Sequence, residues 1–126
     1  MTVLEDGHMY ALQSLDGKRD NTLTFVKREG VKYPGNNCTH SGTISQEVLR
    51  ALINRARYIN WQIPCWQTRL SIFLMRLCIW LYEQRAAKRH GVPCPTLEQV
   101  EFGVPCAKCG HVRCADVFKM EGTADG

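Results

Sequence analysis

Long apolar runs are missing from this 126-residue chain. The closest stretch, LSIFLMRLCIWLY from Leu70 to Tyr82, falls short of the ~18 residues of a membrane span and is interrupted by Arg76. The opening MTVLEDGHMYAL has no basic segment leading into an apolar one, so no export signal is expected. The expectation is a soluble, intracellular protein with no membrane partner. A glycine loop of the Walker or Rossmann type is absent as well. The 12 acidic residues are scattered, with no pair recurring on one helical face. Ser41 and Ser45 lie near His40, but adjacency in sequence does not make a nucleophile, base and orienting group. These absences favour a binding protein over an enzyme.

Positive charge is in modest surplus, 16 Lys and Arg against 12 Asp and Glu, giving +4. That suits an anionic partner, although simple solubility explains it equally, and it is mild for a protein gripping long nucleic acid. Seven cysteines without an export signal point to reduced thiols or a metal, since disulfide frameworks belong to oxidising compartments.

The expected fold class is α+β: a small N-terminal antiparallel sheet, a long antiparallel helical hairpin, and a short Cys-rich tail. HMYALQS and TLTFVKR read as strands, with Asp6-Gly7 and Asp16-Gly17 as turns. A loop is expected over about 29–42. The first helix is expected over about 43–60, opened by a Thr43/Gln46 capping box. Val48, Leu49, Leu52, Ile53, Ala56 and Ile59 form its apolar stripe, and Arg50, Asn54, Arg57 and Trp61 its solvent face. After Pro64 a second helix is expected over about 65–90, stopped by Gly91 and Pro93. It carries two stripes: Leu70, Phe73, Leu74, Leu77 and Leu81, and Ile72, Met75, Ile79, Tyr82 and Ala86. One can pack on the first helix. The other needs the sheet or a second subunit, so a homo-oligomer is expected. Residues 1–91 thus form the main domain and 92–126 the tail, whose last residues read as disordered.

The segments TLTFVKR, YPGN, HSGTISQEVLRALINRARYINWQIPC and RLSIFLMRLCIWLYEQRAAKRHG, within residues 20–91, resemble the helical-hairpin domain of phage anti-Thoeris and anti-CBASS nucleotide sponges. The resemblance implies an oligomeric binding protein that sequesters a cyclic ADP-ribose isomer or cyclic oligonucleotide without cleaving it. Such a protein would act in the cytoplasm of an infected bacterial host and block anti-phage defence. Where that family often opens its second helix with an acidic-Asn pair, this chain has Gln67-Thr68. The cysteine tail has no counterpart in the pattern.

A nucleotide site needs cationic or N–H donors for phosphate, ideally at a helix N-terminus, and groups for the base or ribose. Asn36, His40, Thr43 and Gln46 supply polar atoms at the start of the first helix, and Arg28 sits just upstream. Plain helix capping explains Thr43 and Gln46 equally well, and His40 reads as an ordinary loop histidine. Arg85, Lys88, Arg89 and His90 crowd the end of the second helix, where the helix dipole favours cations in any case. An antiparallel hairpin brings this end beside the start of the first helix, which raises Arg85 and Arg89. Arg69, at the opposite end, is the weaker candidate.

In the tail, PCAKCGHVRC holds Cys106-x-x-Cys109-Gly, half of a zinc-knuckle site. Four ligands close a structural zinc site. Cys114 is a third, and the fourth is Cys94 or His111, with Cys94 preferred. The plainer reading is reduced thiols. A zinc-containing nucleic-acid-binding or regulatory phage protein is the alternative function, and a phage subunit that only assembles is a third.

Overall fold

The computed structural model describes residues 1–29, 37–102 and 112, and the side chains of 1–26, 41–101 and 112. The architecture is α+β, an N-terminal antiparallel sheet followed by two long helices. β1 (Thr2–Glu5), β2 (Met9–Gln13) and β3 (Asp20–Thr24) form the sheet in that order. The register runs from Met9 opposite Thr24 to Gln13 opposite Asp20, with an irregularity between Val3 and Glu5. The β2–β3 turn is held by Asp16, whose carboxylate accepts the Lys18 backbone N–H at 3.1 Å and the Ser14 hydroxyl at 2.9 Å. Those two bonds, the first above all, hold the Asp16 carboxyl below its ordinary value.

The segment expected as a loop contributes a second antiparallel pair, β4 (Lys27–Glu29) with β5 (Asn37–His40). The CTH run within β5 tolerates extended backbone.

From β5 the chain returns to the first sheet. Thr43 donates its backbone N–H to Thr24 O at 2.8 Å, and its own carbonyl accepts from Val26 at 2.9 Å. Gly42 permits this approach: a Cβ there would lie 2.5 Å from the Phe25 carbonyl carbon and 2.7 Å from Val26 N. The bridge overturns the expected capping box. Thr43 is held extended in the ladder, Ile44 is the N-cap, and no side-chain cap bond forms there. α1 therefore runs Ser45–Gln62.

α2 spans Trp66–His90 and ends on Gly91 in the left-handed region (φ 66°), with Gly91 and Val92 N–H groups returning to Ala87 O. The core lies between the helices. Ile53 of α1 and Ile79 of α2 are fully buried, with Leu49, Ile72, Met75 and Trp80 packed around them. Val100 completes this cluster from α3 (Leu97–Phe102), a helix within the segment read as the Cys-rich tail. A reciprocal capping box opens α3: Gln99 N–H to Thr96 Oγ1 at 3.3 Å, Thr96 N–H to Gln99 Oε1 at 2.9 Å.

Two buried carboxylates fasten this C-terminal element. Glu101 is paired with Arg57 and, at 2.7 Å, with Arg76. Glu83 has no solvent exposure; it faces Arg50 at 3.5 Å and accepts the Val112 backbone N–H at 3.0 Å. Arg50 also donates to Val100 O at 2.9 Å. Arg50 and Arg57 thus do not sit on a purely solvated face, because α3 covers that side of the hairpin. Among the described residues no helix is long and apolar enough to cross a membrane.

Candidate functional site

A cleft of ≈ 630 Å³ opens between the first sheet, the start of α1 and the end of α2. Its apolar wall comes from Tyr10, Leu23, Phe25 and Tyr82; the Tyr10 and Phe25 rings meet edge to face, centroids 6.0 Å apart. Thr43, Ile44, Ser45 and Gln46 form the second wall, which is the bridge, N-cap and first residues of α1. Arg85, Ala86 and Arg89 form the third.

The helical period explains the third wall. Tyr82, Arg85 and Arg89 recur at i, i+3 and i+7 and so share one face of α2. Antiparallel pairing then sets that face beside the first turn of α1. The first-turn amides have no side chain capping them from Ile44, and the dipole adds positive potential where the arginines already lie. Among the described lining residues there is no Asp, Glu, His or Cys. The described lining thus sets Arg85 and Arg89 across from the aromatic surface of Tyr10 and Phe25.

Of the residues singled out in the sequence, the structure brings Thr43, Gln46, Arg85 and Arg89 into one cleft. Arg69 does not join them. It lies sixteen residues before Arg85 along α2, roughly 24 Å at 1.5 Å per residue. Arg28 and His40 are placed in β4 and β5 as backbone, and their side chains lie outside the described residues. Asn36 lies outside them altogether. Sequence reading missed Tyr10, Phe25 and Ser45 as lining, and placed Tyr82 only in an apolar stripe of the second helix. For Tyr82 a signal existed in its spacing to Arg85 and Arg89. For Tyr10 and Phe25 none did, since the Thr43 bridge that places the sheet here is non-local.

Of the expected zinc ligands, Cys94 is exposed just beyond α2, and Cys106, Cys109, Cys114 and the alternative His111 lie outside the described residues. Among the described residues no group of three His, Cys, Asp or Glu could hold a metal. Partial burial, and then the Glu83 carboxylate, push the Cys94 thiol up. Glu83 also binds Val112, so Cys94 and a residue from between Cys109 and Cys114 share one neighbour.

Compared with known protein families, curated proteins and solved structures, the chain matches none.

Proposed function

We propose that this protein binds and sequesters a cyclic nucleotide immune signal, a cyclic ADP-ribose isomer or cyclic oligonucleotide, without cleaving it. The observation that carries the reading is the meeting of Arg85 and Arg89 with the uncapped first turn of α1 in one cleft. The arginine forks and free amides take the phosphates, and the aromatic wall takes the base. The volume falls within the ~300–1,000 Å³ of small-molecule sites. The resemblance of residues 20–91 to the sponge hairpin supplies the ligand class. A cleft of this volume suits a small ligand better than the alternative, a long nucleic acid.

The protein works as an assembly of more than one copy inside the infected bacterial cell, silencing the effector that the signal would activate. A structural zinc held by Cys94, Cys106, Cys109 and Cys114 closes the tail, a reading that rests on the Cys106-x-x-Cys109 spacing.

The test is incubation with a panel of cyclic ADP-ribose isomers and cyclic di- and trinucleotides, read by thermal shift, then heat release and chromatography. A stabilising ligand recovered intact is the expected result. Recovery of a cleaved product overturns the non-catalytic reading, and no shift with any member overturns the ligand class.

A further inference from the structure

The side of α2 that turns away from α1 has no cover among the described residues. The 3.6-residue period places Trp66, Leu70, Phe73, Leu74, Leu77 and Leu81 on this side, diametrically opposite Ile79. Trp66 is 64% exposed, Phe73 46%, Leu74 52% and Leu81 57%. No charged residue falls on this stripe between Trp66 and Leu81; the next two positions along it are Gln84 and Lys88.

We propose that this stripe binds a second copy of the chain, α2 against α2 in antiparallel sense, about a two-fold axis between Phe73 and Leu74. This deepens the reading of an assembly and is independent of the ligand. The stripe is symmetric about that midpoint. Trp66 precedes it by as many residues as Leu81 follows it, and Leu70 and Leu77 are related in the same way. A reversed copy therefore sets Trp66 on Leu81, Leu70 on Leu77 and Phe73 on Leu74, apolar on apolar at every step. A two-fold contact requires this self-complementarity. Leu70, Leu74, Leu77 and Leu81 also follow the 4-3-4 spacing of a two-helix seam.

Area agrees with this occupant. The half-exposed side chains offer on the order of 500 Å² per chain, and polar neighbours at the rim bring this toward the ~800 Å² that each partner contributes to a stable interface. The chain's own C-terminal segment is a poor cover. It departs from Val112, anchored on Glu83 on the α3-covered side, and residues 113–126 contain only Val117, Phe118 and Met120 as large apolar residues.

Sedimentation of the full chain tests the proposal, with Leu74→Glu as the variant. The expected result is a wild-type mass twice 14.4 kDa. Leu74→Glu then weakens the dimer by at least about a hundred-fold with its helical circular dichroism unchanged, because Leu74 is half exposed in the single chain. A wild-type monomer at about 100 μM, with or without affinity for lipid vesicles, overturns both the assembly and the seam. A dimer that survives Leu74→Glu with intact helicity overturns the seam alone. Should that variant lose its helical signal, benzoylphenylalanine at Phe73 decides. Photo-crosslinking to Phe73 or Leu74 of another copy supports the seam, and crosslinking elsewhere contradicts it.

Discussion

The backbone N–H of Thr43 donates to the carbonyl of Thr24 at 2.8 Å, and this bond sets where α1 begins and which strands it faces. The sheet reaches the cleft because residue 42 is small enough for the two backbones to touch. Gly42→Ala should force the bridge apart and destabilise the fold by about 1–3 kcal/mol. Denaturant melts would show it, and a variant as stable as the wild type would refute the role given to this contact.

Thr43-x-x-Gln46 and Thr96-x-x-Gln99 are the same local pattern with different outcomes. Only the second makes the reciprocal bonds. Thr96→Ala should cost ~1 kcal/mol, whereas Thr43→Ala loses no cap, because the bonds of Thr43 that matter are backbone bonds. Equal destabilisation by the two substitutions would contradict this assignment.

Glu101 is buried between Arg57 and Arg76. Glu101→Ala removes the shared partner of two part-exposed guanidinium groups and should destabilise the protein by about 1–3 kcal/mol. Glu101→Ala with Arg76→Ala should cost less than the sum of the single changes, and strict additivity in the cycle would show that the pair is not coupled.

Arg85 is exposed and takes no part in the core, so Arg85→Ala should leave the melting temperature of the free protein unchanged. Ligand affinity should fall about ten- to a hundred-fold, the scale of a lost charge-assisted hydrogen bond. Arg69→Ala, at the far end of α2, is the control and should bind like the wild type.

Zinc, if the tail closes as proposed, is found at one atom per chain by elemental analysis of protein purified without added metal, and a chelator then lowers the melting temperature. Metal-free protein with an unchanged melt would refute the site.

The hairpin was legible because its signals are local. Stripe spacing, Pro64 and Gly91 each act within a turn or two of their own position, and the antiparallel return followed from the short connection. That return was enough to bring Arg85 and Arg89 beside Thr43 and Gln46. Long-range features escaped. Arg50 and Arg57 read as solvated until α3 is laid over them, and nothing local distinguishes Glu83 or Glu101 from a surface acid. The sheet side of the cleft depends on a β-bridge between residues eighteen apart, which no periodicity encodes.

Calorimetric titration of the wild type and Arg85→Ala with the cyclic nucleotide that gives the largest thermal shift tests the central claim most directly. The account predicts saturable heat at one site per chain in the wild type and a loss of affinity of about ten-fold or more in the variant. Saturable binding unaffected by Arg85→Ala would place the ligand elsewhere, and no heat with any cyclic nucleotide would contradict the proposed function.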